Sequence, residues 1–374
     1  MSLDLLPKDL LIEIAILLSP RALYYWLQCD KKLMEIVQNN HFWRRKFIRE
    51  YGNINYDGNW STLYQNYTDV WSCGSDGCGQ LGLGEKKETS KLDNVENFRA
   101  KKIAAGDSQS TFLDLNDNIF VCGAVQGEKQ TIPKIIPNIK AKHITSCYCS
   151  SIIVDDNNVY KTSDDDDLLI EVFNSPVKKV SAGINHILAM DTNNYIWIAG
   201  RPGELGPTKL MESKAKYMSA GANGSLLIDM NNDIWVFGDN VWLTWFSDST
   251  YKKIPNLKAK KVACGLFHAL VLDLENNVWA FGRNFHGELG LGHNKKVNVP
   301  TCIPNLKAKK IAVGTCHSIV LDLNNNVQVF GDNSLGQLGL GDYRDRYIPT
   351  RIPGLKAKTI SAGTYHTVII GAVL

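Results

Sequence analysis

One short pattern recurs through most of this chain and limits what it can fold into. "VWAFG" (278–282) is echoed by "IWVFG" (234–238), "VQVFG" (327–331) and "VWSCG" (70–74), with weaker copies at "IFVCG" (119–123), "VYKTS" (159–163) and "IWIAG" (196–200). The last positions of these seven units lie 49, 40, 37, 38, 44 and 49 residues apart. A period of this size marks a repeat architecture. Each unit also carries an apolar-small-small-glycine run, followed in four units by a histidine three residues on: His186, His268, His317 and His366. Gln109, Ser150 and Gly224 take that place in the other three. An Asn-rich link such as "DLNNNVQVF" then joins two β-branched runs, which predicts a hairpin because Asn tolerates left-handed backbone.

Four short strands per unit at this spacing predict a mainly β fold, a seven-bladed β-propeller spanning 69–374. Closure is also expected. "HTVIIGAVL" (366–374) has no following strand of its own, so it should pair with the strand near Val70 and build one blade from both ends. The two signatures resemble those of the regulator of chromosome condensation repeat family. The resemblance covers about 69–374, is strongest in units five to seven, and implies a seven-bladed propeller.

Three glycine-rich loops, "GCGQLGLG" (77–84), "FHGELGLG" (285–292) and "SLGQLGLG" (334–341), look at first like phosphate cradles. They lack the Gly-Lys-Ser/Thr of a P-loop, and their glycines run in the reverse order of a dinucleotide fingerprint. Tight turns with positive backbone angles are the better expectation. The repeated histidines could ring a metal ion, but equivalent places on successive blades need not converge; the resemblance implies blade-packing histidines bonded to neighbouring backbone. Folding each hairpin symmetrically places Lys309 opposite Asp322, Lys260 opposite Asp273, Lys216 opposite Asp229 and Lys178 opposite Asp191. A second basic set (Arg99, Lys140, Lys214, Lys258, Lys307, Lys356) has no assigned partner and could form a mild basic rim. The acidic run Asp164–Asp167 lacks the pattern of a calcium loop and is expected to be solvated. No catalytic residues, cofactor or metal site is expected, and the chain is not expected to be an enzyme.

Net charge is only +3, so no global field draws the chain to nucleic acid or membrane. No apolar run approaches the length of a bilayer span. Nine cysteines without a Cys-x-x-Cys pair are expected to be reduced, which places the protein inside a cell, cytoplasmic or nuclear. The Asn-, Lys- and Ile-rich composition is compatible with an AT-rich genome, such as that of a large DNA virus, in which case the compartment is that of the host.

Before the repeats the periodicity becomes helical. Leu10, Leu11, Ile14, Leu17 and Leu18 follow helical spacing and predict an apolar stripe. Ser19-Pro20, Asp30 and Asn40 are candidate caps for three further helices, with Phe42, Trp43 and Phe47 facing inward. Leu6-Pro7, Asp9, Leu10-Leu11, Ile14, Leu18, Leu23, Leu27, Cys29 and Trp43 resemble an F-box. That resemblance implies docking, through Leu6, Pro7, Leu10, Leu11, Ile14 and Leu18, onto the S-phase kinase-associated adaptor of a cullin ubiquitin ligase. The expected organisation is an F-box-like module (1–50), a packed connector (51–68) and the propeller (69–374).

The leading functional expectation is a substrate receptor of such a ligase, its propeller binding a target protein. The alternative is a nucleotide-exchange factor for a small GTPase or a chromatin-binding propeller, with the helices a structural cap. Target-binding candidates are Trp242, Trp245 and Phe246, because "NVWLTWFSDSTY" (240–251) replaces the glycine turn with aromatics that dominate binding hot spots.

Overall fold

The computed structural model describes residues 7–18, 23, 35–51, 59–61, 64, 67–84, 88–125, 128–146, 151–156, 158–162, 169–173, 176–184, 186–200, 206–222, 224–238 and 251–373. Chain contacts divide it into two compact units, 1–67 with 372–374, and 68–371.

In the first unit, helix α1 (Lys8–Leu17) and helix α2 (Asn40–Tyr51) share a core. Leu11, Ala15 and Ile16 of α1 meet Phe42, Trp43 and Phe47 of α2, all buried as bulky apolar groups should be. The aromatics after α2 complete it: Tyr67 stacks edge-on against Phe47 at 4.6 Å and Trp60 does so at 5.4 Å. A buried lysine closes the end of α1. The Nζ of Lys46, on α2, donates to the carbonyls of Leu18 (2.6 Å) and Ile16 (3.2 Å), which lie past the reach of the helix's own amides. The α2 cap is Asn39, whose Oδ1 accepts from His41 N at 2.8 Å; Asn40, the expected cap, instead accepts from Trp60 N at 2.6 Å. The apolar stripe of α1 is also split. Leu10 and Leu17 are 46% and 60% exposed, because Ala15 and Ile16 turn the buried face away from them.

The second unit is built almost wholly of antiparallel strands. The first pair is β1 (Asp69–Gly74) with β2 (Thr89–Arg99), which close one end of a 13-stranded sheet whose other strands come last in the chain. Three four-stranded sheets follow: β3 (Lys102–Ala105), β4 (Gln109–Leu113), β5 (Asn118–Val125) and β6 (Glu128–Lys140); then β7 (His143–Ser146), β8 (Ser151–Val154), β9 (Val159–Thr162) and β10 (Leu169–Phe173). The third holds β11 (Val177–Ala182), β12 (Ile187–Asp191), β13 (Ile196–Ala199) and β14 (Thr208–Lys209). The rest are β15 (Ala215–Ala220), β16 (Gly224–Asp229), β17 (Asp233–Gly238), β18 (Lys252–Cys264), β19 (His268–Asp273), β20 (Asn277–Gly282), β21 (Val297–Val313), β22 (His317–Asp322), β23 (Asn326–Gly331), β24 (Arg346–Ala362) and β25 (His366–Val373). The long strands β18, β21 and β24 each pair with the preceding strand through their first half and with the following one through their second. The bend is made by Asn256, Asn305 and Gly354, all at φ between 57° and 69°. Gly354 stands where the other two strands use Asn, the residue that best tolerates the left-handed region after glycine.

The two ends of the second unit meet. Strand β1 pairs antiparallel with β25, Val70 opposite Ile370 and Gly74 opposite His366, as the missing partner strand foretold. Val70, Val368 and Ile370 share a buried cluster with Phe112 and Cys122 of the next sheet. Similar clusters lie between other successive repeats, so the core is a series of layers between repeats.

The hairpin register corrects the lysine–aspartate ladder. Asp273 faces Ala259 and Asp322 faces Ala308, while Lys260 and Lys309 fall at the register shift of a β-bulge. The displaced lysines point at the hairpin turn instead. Lys178 Nζ donates to Asn194 Oδ1 at 3.0 Å, Lys216 to Met230 O at 3.1 Å, and Lys260 to Asn276 Oδ1. The aspartates organise that same turn: Asp322 Oδ1 accepts from the amides of Asn324 and Asn326, both at 2.8 Å.

Candidate functional site

The glycine loops are structural. In "FHGELGLG", Gly287, Gly290 and Gly292 all have positive φ, and Gly292 N donates to Tyr347 O on β24 at 2.8 Å. A Cβ at Gly287 would lie 2.6 Å from the Cα of Tyr347, so the loop can touch that strand only as glycine. The loop's Asn284 Oδ1 accepts from Leu289 N, as Asn333 Oδ1 does from Leu338 N and Asp76 Oδ1 from Leu81 N, each at 3.0 Å.

The repeated histidines bind no common centre either. Each Nε2 reaches a hydroxyl on the next repeat: His186 to Ser225 (2.6 Å), His268 to Ser318 (2.8 Å), His317 to Thr367 (3.1 Å) and His366 to Ser110 (2.8 Å). The partner of each Nε2 is thus a side-chain hydroxyl of the next repeat, and His268 also bonds the neighbouring backbone at Thr315, as expected. The hydroxyls themselves hold backbone. Ser318, Thr367 and Ser110 donate to the carbonyls of Glu288, Gln337 and Gln80, inside the three glycine loops. Since each hydroxyl proton is used there, the imidazole must be the Nε2–H donor. Burial lowers His268 and His366 to a pKa of about 3 and His317 to about 4, so all three are neutral in ordinary buffers.

The second basic set is also engaged. Lys258 pairs with Asp233 at 2.7 Å, Arg99 with Asp69 at 3.2 Å, and Lys307 Nζ donates to Glu275 O at 3.3 Å. Lys140 and Lys356 reach Asn118 and Asn326 in their hairpin turns, and Lys214 lies over the ring of Tyr195. These cations fasten the turns, which weakens the case for a free basic rim.

Among the expected adaptor-binding residues, Pro7 and Leu10 are exposed, Ile14 and Leu18 half-buried, and Leu11 fully buried in the helical core. Leu11 therefore cannot meet a partner without unfolding α1. Leu6 lies outside the described residues, as do the target-binding candidates Trp242, Trp245 and Phe246 and the acidic run Asp164–Asp167. Pro7, Asp9, Leu10, Ile12, Glu13 and Arg45 border an open hollow of about 420 Å³, with Arg45 bonded to Glu13 along one side.

Two features escaped the sequence reading. Phe285, Tyr347 and Ile348 are 61%, 40% and 60% exposed around the second glycine loop, where Arg283 lies between the rings of Phe267 (4.8 Å) and Phe285 (4.7 Å). The signal was Phe285 itself, which stands where the other two loops have Gly77 and Ser334. Beside it His286, Asp332 and Asp345 bring three ligand-type atoms within 4.8 Å of one another. Hydrogen bonds already occupy them: Asp345 accepts from His286 and Asn333 N, and Asp332 from Gln337 and Ser334 N. The second feature is a cavity of about 480 Å³ bordered by β3, β7, β11 and β15 and by the last residues of β18, β21 and β24. It continues past Gly106, Gly183, Gly221, Gly265 and Gly314 into a narrower space of about 230 Å³.

The six described cysteines form no disulfide, and burial raises the thiols of Cys264 and Cys316 to a pKa of about 12 and about 11. Those two thiols are protonated and unreactive. No helix among the described residues is long and apolar enough to cross a membrane.

Comparison with known proteins agrees with this architecture. The model of the regulator of chromosome condensation (RCC1) repeat matches residues 69–113, 275–321 and 324–370, and a second model of that repeat matches 259–288 and 308–337. No curated protein matches the chain by sequence. Among solved structures, Prp20p from Saccharomyces cerevisiae, studied for its binding to Gsp1p and histones, is 19% identical with a TM-score of 0.73, covering 82% of this chain and 92% of that one. Yeast RCC1 (Prp20) bound to Kap60 gives 19% identity and a TM-score of 0.73, over 82% and 89% of the two chains. Human WBSCR16 is 17% identical with a TM-score of 0.72, over 82% and 99%. At these identities the likeness is one of fold. The chain carries RCC1 repeats in a mainly β, propeller-type fold.

Proposed function

We propose that the chain is a macromolecule-binding propeller of seven blades, closed by its first and last strands, whose partner is a small GTPase or chromatin. The observation that carries the reading is the shared fold with Prp20p, which binds Gsp1p and histones. Closure is supported by the β1–β25 pairing and by a central cavity bordered by inner strands from every repeat. A protein partner is supported by the exposed Phe285, Tyr347 and Ile348 around a loop held rigid by its glycines. Rigid exposed aromatics bury area on binding with little loss of side-chain freedom. The test is release of labelled nucleotide from a panel of small GTPases, run beside retention on immobilised histones. Faster release or histone retention, weakened by Phe285→Ala with Tyr347→Ala, is expected. A chain that does neither is not this kind of propeller.

A second reading has its own observation. Pro7, Leu10 and Leu17 leave apolar surface exposed on α1, beside a hollow flanked by Glu13 and Arg45. An F-box would present such a face to the S-phase kinase-associated adaptor, making the propeller a target receptor of a cullin ubiquitin ligase. Co-purification with that adaptor, lost in Leu10→Glu/Leu17→Glu with the melting curve unchanged, is the expected result. Leu11 is unsuitable for this test because its substitution would unfold the helix. No co-purification with the wild-type chain rejects the reading.

A further inference from the structure

Lys179 borders the central cavity, and lysines at the same place in three other repeats, Lys102, Lys261 and Lys310, stand beyond its lining, each within electrostatic reach of another group of the set. In the paired basic motif that opens each inner strand, the second residue is Lys102, Lys179, Lys261 or Lys310 in four repeats, and His143 and Tyr217 in two others. His143, Lys179 and Tyr217 border the 480 Å³ cavity directly. The lysines lean from one repeat onto the next. Lys261 Nζ donates to Lys309 O at 2.9 Å, Lys310 Nζ to Lys358 O at 2.8 Å, and Lys102 Nζ to Lys142 O, with His143 Nδ1 also 3.0 Å away. Lys179 lies 5.0 Å over the ring of Tyr217. Each ammonium has three N–H groups, and carbonyls accept without neutralising its charge.

The walls of the cavity also offer protons. Ser181, Ser219 and Ser361 each accept an amide from the adjoining strand, those of Ala220, Cys264 and Ala105, at 2.9 to 3.0 Å. All three border the cavity, and each keeps a hydroxyl proton to donate. Among the described residues, none that borders the wider cavity carries a carboxylate. The nearest one acting on these lysines, Asp117, is held at 2.5 Å by Lys101. Burial and mutual repulsion show in the titration: Lys310 falls to a pKa of about 8 under burial and the charges of Lys261, Lys309 and Lys358, and Lys102, Lys261 and His143 are lowered for the same two reasons. Unneutralised like charges gathered beside a cavity focus the field on an incoming anion. The volume falls within the range of small-molecule sites, which favours a compact ligand over a threaded polypeptide.

We infer that the lysine-flanked end of the central cavity binds a compact multivalent anion of the phosphate class, held by Lys102, Lys179, Lys261 and Lys310 with the serine hydroxyls of its wall. This stands apart from which macromolecule the propeller takes. The test is calorimetric titration of the whole chain with inorganic tripolyphosphate, with hexaglutamate as a parallel arm. Tripolyphosphate should bind, more weakly as salt is raised, and at least tenfold more weakly in Lys261→Met/Lys310→Met. Because those lysines also hold backbone carbonyls, Lys179→Gln serves as the second variant; its side chain is exposed, and several-fold weakening with an unchanged melting curve is expected. Tripolyphosphate binding that is equal in all three proteins, absent, or replaced by binding of hexaglutamate alone would overturn the assignment.

Discussion

His366 Nε2 lies 2.8 Å from Ser110 Oγ, 256 residues away in the chain, and that hydroxyl donates in turn to Gln80 O at 2.8 Å. One histidine thus joins the last repeat to the first and holds the first glycine loop in place. Gln109 performs the same service one step on, its Nε2 donating to Ser151 Oγ at 3.0 Å. The pairs are matched. Ile187 and Ala269 carry no hydroxyl, and the repeats before them offer Ser150 and Gly224 where a histidine would stand.

Ser110→Ala should therefore destabilise the second unit by about 1–3 kcal/mol, since it strips partners from a buried imidazole and a buried carbonyl. Urea unfolding measures this. A double-mutant cycle with His366→Ala should return a coupling of about 1 kcal/mol or more. Strict additivity would show that the contact holds nothing.

Acid should unfold this protein earlier than its carboxylates require. The folded pKa values of His268, His317 and His366, about 3 to 4, lie below the ordinary 6.5. The unfolded chain therefore takes up protons first as pH falls. Their contribution is complete above about pH 6.5 and is lost progressively toward pH 4, at about 1.4 kcal/mol per pH unit for each histidine. Urea midpoints measured between pH 7 and 4.5 should fall steeply. His366→Gln, which copies Gln109, should flatten the slope by about a third.

Two glycines in neighbouring loops should behave oppositely. Gly336 has φ +77°, and a Cβ there would lie 2.5 Å from the Cα of Ser90; Gly77 has open space around it. Gly336→Ala should cost at least about 1–3 kcal/mol, and Gly77→Ala should be close to neutral. Thermal melts of the two variants compare them directly.

Lys46→Met should loosen the helical unit. The methionine keeps the apolar stem but leaves the carbonyls of Ile16 and Leu18 without the ammonium, a loss of about 1–3 kcal/mol. Hydrogen exchange across α1 should accelerate while that of β19 to β23 stays unchanged. Equal protection in both proteins would contradict the capping role.

Much of this was readable in advance where one residue type fixes one backbone state. The asparagines of the hairpin links and the glycines of the loops lie in the left-handed region their types allow, so strand pairing and turn positions follow from spacing. Register was less legible. Folding the hairpin symmetrically put Lys260 opposite Asp273, but a bulge inserts one residue, and nothing in a period-two pattern announces it. The face of α1 was misjudged for a related reason: five apolar residues share helical spacing, yet which of them are covered depends on partners from α2 and from 59–67. The histidine–hydroxyl pairing was present in the sequence throughout. It shows only when position 109 of one repeat is compared with position 151 of the next, rather than with its own equivalent.

The pairing of β1 with β25 also has a consequence in time. Trp71 Nε1 donates to Gly371 O at 3.0 Å across 300 residues of chain. At about 5–20 residues per second of synthesis, β1 must wait tens of seconds for the strand that covers its edge. Until then Val70 and Trp71 present an unpaired apolar edge to whatever is nearby, including another nascent copy. A ribosome paused before residue 366 would hold nearly every strand and still lack the last one. The yield of folded protein should accordingly respond to translation speed and to chaperones that shield strand edges more than to the stability of the finished fold.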